Sequence, residues 1–595
     1  MKILLLIFSF IISLNLISNA NGAVCSSRLQ VSDIKFANTH VLPIGGKSWK
    51  NNTVTLKILP NRESLLLAKF EDQTLSYTVK VWDDDTLMGK LTLDDPSKLP
   101  PTESNGTKYS TVHHSVRIPK DWMKPKMKIQ FSTMVLKSEF FFPNMCHETN
   151  LNMWLLPFYL FGANDTNTQP LSVTGSISKN ISDELVQKWS LSSLNALNHP
   201  ISRIDWPYLI LPAGRNSLPG LRIINSDEKR DGYEIMSVVL GILGGIRGAN
   251  GEGPSSILYY APLIHLGANG KYADPWGGLG GGSVGTGDYS YSGIFIHEAG
   301  HSYGLPHAGD SYTSGNYPYI KGSLLGSEWG FDMNHNEFLS VNIPSNAGVY
   351  KNCNKSFVLD ANNNCVKQSV MQGGAGDQAQ GYRYSMFGDY EEVTIQNYFK
   401  DSIIYDKSYS TGYKKWNSTT LQYETYTPST KSSGLYGIND GLPIERGVDV
   451  YTVIITYSFV GPANLSQVYP LLKSKGNLMY FVDPTNSTQL YDIRPNVSKY
   501  AWFCHSSGCD YTVKVTFSDG TTKYMLLQRG KRSWFSPMGV IGTGFTNPLS
   551  GDSFLTVTLN VKADKTLTKV ELYETLLGFN GFNAANATLL VSQSF

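Results

Sequence analysis

The stretch IFIHEAGHSYGLPHAGD, residues 294–310, places three histidines, one glutamate and one glycine at spacings that decide the fold around them. His297 and His301 are four residues apart, so a helix puts both on one face, one turn apart. Two imidazoles so placed can hold one Zn²⁺ at ~2.0–2.1 Å. Glu298, beside the first of them, is suited to act as a general base rather than a ligand. Gly304 directly follows the helical pattern, and glycine accepts the left-handed conformation that ends a helix and reverses the chain. That turn brings His307 back as a third ligand. Three protein ligands leave one position for water, which is the arrangement of a catalytic rather than a structural zinc site.

Working outward, the glycine-rich run GGLGGGSVGTGDYS (277–290) leads into the motif. It reads as a flexible rim of a cleft or as a plain loop. It is not a phosphate loop, because no GK[ST] follows. The pattern changes near NMWLLPFYLFGAND (152–165), and WPYLILP (206–212) and SILYYAPLIHLG (256–267) read as buried strands. SDELVQKWSLSSLNAL (182–197), the largely apolar GYEIMSVVLGILGGI (232–246) and DYEEVTIQNYFKD (389–401) read as helices. Helices and strands alternate, so residues 146–405 are expected to form an α/β domain carrying the metal motif.

At 595 residues the chain exceeds a single core, which stops growing near ~250–300 residues. Residues 24–145 alternate apolar and polar positions, as in SLLLAKF (64–70) and LSYTVKVW (75–82), and predict an immunoglobulin-like β-sandwich. Residues 406–445, rich in Tyr, Ser, Thr and Lys, read as an extended connection. From 446 the strand pattern returns, with Asp519-Gly520 marking a hairpin between two alternating runs. Residues 446–595 are therefore expected to form a second β-domain. Trp502 and Trp534 within it are read as core residues rather than sugar-stacking platforms.

The chain begins MKILLLIFSFIISLNLISNANGAVC, a lysine, an apolar run and small residues, which is the pattern of a secretory signal peptide over 1–22. No later apolar run is long enough to span a bilayer. A secreted, extracellular protein without membrane insertion is expected. Six cysteines, an even number, favour disulfides in that setting. Local closure suggests Cys353–Cys365 and Cys504–Cys509, leaving Cys25 with Cys146. Ten Asn-x-Ser/Thr sequons permit glycosylation. The net charge of +2 makes no case for nucleic acid as a partner.

The run from His297 to His307 has the HExxHxxGxxH spacing of the metzincin signature. Metzincins also carry a tight turn with a methionine beneath the metal. Met371 in SVMQGG and Met386 in RYSMFGDY are the candidates. Met371 is favoured because two glycines follow it and more chain separates it from the last helix. Astacin- and serralysin-type metzincins add a tyrosine two residues after that methionine. Gly373 and Gly388 stand there, so this ligand is missing. Tyr303, Tyr312 and Tyr384 are alternative donors to an oxyanion.

The motif block together with NMWLLPFYLFGAND, MQGG and STGYKKWN (410–417) resembles the dictomallein family of secreted metalloproteases, related to the bacterial mucin-degrading protease StcE. The resemblance covers about 146–420 and implies a metzincin-type zinc protease domain there, which the strand patterns on either side would flank with two β-sandwich-like domains in a multidomain α+β protein. It implies one catalytic zinc on His297, His301 and His307, with Glu298 as catalyst. It also implies protein or glycoprotein substrates such as mucin-like chains. The competing expectation is a glycan- or cell-surface-binding protein with a vestigial zinc domain. The intact Glu298 argues against it.

Overall fold

The structure is a computed structural model, and it describes residues 28–347, 358–430, 438–496, 498–505, 507–533, 539–583 and 585–595. The expected leader (1–22), Cys25, Cys353 and Trp534 lie outside those residues. The chain is a mixed α/β multidomain protein in which strands far outnumber helices.

In the N-terminal part, alternating residues build two antiparallel sheets. One orders Val41–Pro43, Val31–Ala37, Ser64–Phe70 and His114–Ile118; the other orders Thr86–Thr92, Thr78–Asp83 and Met127–Ser132. Phe36, Leu66 and Ala68 of the first meet Val79, Val81, Ile129 and Phe131 of the second in one core. Each of these is an inward position of a period-two strand.

The central part is built on a largely parallel sheet. Strands β1 (Asn150–Leu155) and β2 (Phe158–Leu160) run along one side of β5 (Ile257–Leu266). Outside them lie β3 (Ser193–Asn198) and β4 (Ile204–Trp206), also parallel. On the other side of β5 comes β7 (Val284–Gly287), parallel, and then β6 (Leu279–Gly281), antiparallel to β7. Helices α1 (Lys179–Lys188), α2 (Glu234–Ala249), α3 (Gly293–Ser302), α4 (Ala308–Thr313) and α5 (Asp389–Lys400) accompany this sheet.

Three expected elements differ. The helix expected over 182–197 ends at Lys188, where Trp189 turns extended and is buried. The remainder becomes β3, because SLNALN alternates with period two and pairs with β1. WPYLILP is broken by Pro207, which lacks the N–H that a continuing ladder needs. Trp206 stays in the central sheet, while Leu209–Leu211 pairs with Leu221–Ile223. The stretch 406–445 is not simply extended. Ile404–Tyr405, Tyr413–Asn417 and Gln422–Thr425 form a three-stranded antiparallel sheet. The cross-strand pair Trp416–Tyr423, with ring centroids 5.2 Å apart, supplies contact area that apolar periodicity does not reveal.

The C-terminal part holds two four-stranded antiparallel sheets sharing a core of Val453, Ile455, Val513, Val515, Leu559 and Val570. Cys504–Cys509 is a disulfide and Cys365 is disulfide-bonded. Cys146 is a buried free thiol, so the expected pairing with Cys25 is not formed; its sulfur lies 3.4 Å from His147 Nδ1. Burial pushes that thiol up to about 12, which keeps it unreactive. Among the described residues, no helix is long and apolar enough to cross a membrane.

Both flanking parts are fastened to the centre. Arg62, fully buried, donates to the carbonyls of Asn38, Trp189 and Leu191 and to Gln187. Lys47 reaches Asp389 at 2.6 Å, and Lys367 pairs with Glu103 in a buried contact. On the other side, Asn560 bonds Asn250 and the carbonyls of Ala249 and Asn477, and Trp206 stacks on Tyr469 at 4.0 Å.

Candidate metal centre

Helix α3 begins at Ser292, whose hydroxyl accepts from Ile294 N–H, and carries His297, Glu298 and His301. It ends where Gly304 takes φ +93°, and Leu305 N–H returns to the carbonyl of Gly300. The chain therefore reverses within one turn, and His307 arrives as the residue capping α4. The three imidazoles converge, with ring centroids 4.8, 5.4 and 4.8 Å apart. One nitrogen from each lies within 4.8 Å of the others.

The donors fit a metal. His297 Nδ1 lies 2.9 Å from the carbonyl of Val370, and His301 Nδ1 lies 2.7 Å from that of Leu305. A carbonyl only accepts, so each Nδ1 carries the proton and each Nε2 presents a lone pair. Second contacts of this kind orient histidine ligands. The turn that returns His307 also supplies the carbonyl that orients His301. Nε2 of His301 and Nε2 of His307 are 3.2 Å apart. Two nitrogens bound to one tetrahedral metal stand ~3.4 Å apart. With His307 in the same Nδ1–H tautomer, both Nε2 lone pairs can be directed at one ion between them. Burial lowers the affinity of His297 for a proton to about 4, which favours the neutral form that binds metal.

Glu298 is 6% exposed, on the side of α3 facing the glycine-rich strands. Burial pushes its carboxyl up to about 7, where it can take and return a proton near neutral pH. The glycine run is not a plain loop. It forms β6 and β7, which pack on α3. A Cβ built on Gly278 would lie 2.4 Å from Glu298 Cγ, and one on Gly280 would lie 2.2 Å from the Glu298 carbonyl oxygen. On β7, a Cβ on Gly285 would come within 3.2 Å of Ser302 Oγ, and one on Gly287 within 2.8 Å of Tyr260 Oη. The signal for this close approach was present as glycines spaced by two. β6 pairs with β7 alone among the described strands, so its other edge is unpaired, and Gly278 and Gly280 lie against Glu298. Three residues before this strand stands Trp276, 88% exposed, with φ +54° and its N–H bound to Asp274.

Met371 lies against the centre. It is fully buried, and its sulfur is 2.3 Å from a Cβ built on Gly300, between the two helical histidines. Its neighbour Val370 holds His297. Met386 is also buried, but in a separate cluster with Leu324, Leu339 and Val366. Tyr303 packs on Trp189 in the core, and Tyr384 donates to the carbonyl of Tyr291. Of the three tyrosines only Tyr312 is exposed.

The chain is similar to known proteins over most of its length. Residues 103–404 match the family model described as Peptidase M66. Dictomallein-1 of Dictyostelium discoideum is 87% identical over 595 residues, covering all of both chains. Dictomallein-3 of the same organism is 55% identical across all of this chain and 99% of its own length. Dictomallein of Burkholderia mallei (strain SAVP1) is 40% identical over 96% of this chain and 84% of its own. With a metal-ready histidine triad inside the matched region, the chain belongs to the Peptidase M66 family of metallopeptidases.

Proposed function

We propose that this protein is a secreted zinc-dependent endopeptidase of metzincin type that cleaves extracellular proteins, mucin-type O-glycoproteins among them. The observation carrying this reading is the convergence of His297, His301 and His307 beside the buried carboxylate of Glu298 and the edge of β6.

His297, His301 and His307 would hold the ion, and Met371 is the methionine of the turn beneath it. Zinc at such a site acidifies water and polarises the scissile carbonyl. Glu298 takes the proton from the attacking water and delivers it to the leaving amine. Its burial suits both halves of that exchange. The edge of β6 offers backbone N–H and C=O groups along which an extended substrate can lie as an added strand. Such binding holds the peptide straight and leaves its side chains pointing away from the glycine wall. Trp276, three residues before the strand, offers an apolar ring face for stacking on a sugar.

The test is cleavage of a mucin-type O-glycoprotein and of unglycosylated casein, with and without a zinc chelator, by wild type and Glu298→Gln. Chelator-sensitive cutting of the glycoprotein by wild type alone is expected, with Glu298→Gln retaining zinc and losing about 10²–10⁴-fold in rate. Cutting of casein as well removes the glycan preference and leaves the protease. If zinc-loaded wild type cuts neither, the endopeptidase reading fails.

A further inference from the structure

We propose that Glu391 is a positioning residue for the metal site, acting on His297 through Ser369 and the peptide unit joining Val370 to Met371. The inference rests on the metal-binding reading above. Glu391 sits in the first turn of α5 and is 4% exposed. Its carboxylate accepts from Gly388 N–H at 2.7 Å and stands 2.8 and 2.7 Å from the hydroxyl of Ser369. Burial pushes the Glu391 carboxyl up to about 7, and in its ionised form it can only accept, so the single hydroxyl proton of Ser369 then goes to Glu391. The oxygen of Ser369 is then free to accept from Met371 N–H, at 3.0 Å.

That N–H belongs to the same planar peptide unit as the carbonyl of Val370, which receives His297 Nδ1–H at 2.9 Å. The plane is gripped at both ends, by Ser369 at its N–H and by His297 at its C=O, where Gly373 N–H adds a longer contact at 3.4 Å. A peptide plane turns as a unit, so releasing the N–H end lets the carbonyl swing away from the imidazole. Glu391 supplies the charged acceptor that fixes the direction of the Ser369 hydroxyl, and charge-assisted bonds are about twice as strong as neutral ones. The histidine's orientation is therefore set from a helix that carries no ligand. Asp389, in the same turn, accepts from Lys47 of the N-terminal sheets and from the N–H of Glu328, which anchors the end of α5 that bears Glu391.

The experiment uses the full-length protein with Glu391→Gln, Ser369→Ala and Ser369→Thr. It measures zinc affinity by chelator competition, the visible spectrum of the Co²⁺-substituted protein, kcat and KM separately, and Tm. Losing an outer contact to a ligand histidine typically costs 10–100-fold in metal affinity. A fall of that size is expected for Glu391→Gln and Ser369→Ala, with an altered cobalt spectrum, a lower kcat and an unchanged KM. Ser369→Thr, which keeps the hydroxyl, is expected to restore wild-type values. Should Glu391→Gln fail to fold, Ser369→Ala still gives the answer, since it removes a single oxygen. A lowered Tm with wild-type zinc affinity and cobalt spectrum makes the network a structural brace and overturns the inference alone. Failure of wild type to take up zinc overturns the metal reading and this inference with it.

Discussion

At the scale of the residue, the chemistry depends on side chains whose partners remove their freedom. His297 and His301 are committed to one tautomer by carbonyls at 2.9 and 2.7 Å, and Glu298 is held in a dry recess beside glycine. Trp276 is the opposite case, a large apolar ring left in solvent on a left-handed backbone. Replacing it with alanine removes no core contact, so Tm should stay within about 1–2 °C, a surface change being worth under ~0.5 kcal/mol. The expected outcome is a several-fold rise in KM for a glycosylated substrate with little change for its unglycosylated counterpart, measured on a matched glycopeptide pair. An equal effect on both would show that the ring reads the peptide. The histidines and Glu298 were legible because their relation is covalent spacing on one helix and one turn. Met371 and Met386 were not separable so directly, since both are buried and only packing against Gly300 distinguishes them. The tyrosines illustrate the same limit. Tyr303 and Tyr384 carry the right hydroxyl, yet core packing and a backbone acceptor engage them elsewhere.

At the scale of the element, the contact between α3 and the glycine strands sets the width of the site. Gly280→Ala would put a methyl 2.2 Å from a helix carbonyl oxygen, a distance real Cβ atoms do not adopt. The strand must move, and such overpacking costs ~1–3 kcal/mol. Activity should fall by far more than stability, because the displaced wall is the one beside Glu298; kcat/KM and Tm measured together test this. A variant as active as wild type would mean that β6 does not border the reacting groups. The glycine run illustrates what sequence conceals. Its residues have weak strand propensity, and their value lies in what their missing side chains let the neighbouring helix do. The buried helix α2 and the strand β5 were legible because unbroken apolar runs state burial directly. SLSSLNAL was misread because a helical spacing of leucines and a period-two strand coincide over so few residues.

At the scale of the whole molecule, the ends of α5 and the turn before it join the N-terminal sheets to the centre. Glu392, fully buried there, accepts from Ser190 N–H, and burial pushes its carboxyl up to about 8 despite Arg62 nearby. A carboxyl raised in the folded state contributes its stability below the unfolded value, near 4.5, and loses it as pH rises toward 8. Each unit crossed costs at most about 1.4 kcal/mol. Glu392→Gln should therefore gain on wild type between pH 5 and pH 8 in thermal unfolding. A constant difference in Tm across that range would place the charge elsewhere. The β-character of both flanks was legible from alternation, whereas their fastening was not. Contacts such as Lys47 to Asp389 and Asn560 to Asn250 join residues more than 300 positions apart, and no local pattern announces them.

A final consequence follows from β6. A wall made of main chain offers every approaching polypeptide the same ladder of donors and acceptors, and Gly278 and Gly280 admit no replacement that would teach it to discriminate. On the function proposed above, selectivity would fall to surfaces beyond the strand, such as the exposed ring of Trp276. The parts that grip and cut would then tolerate no change, while the part that chooses would lie where exchange costs the fold little.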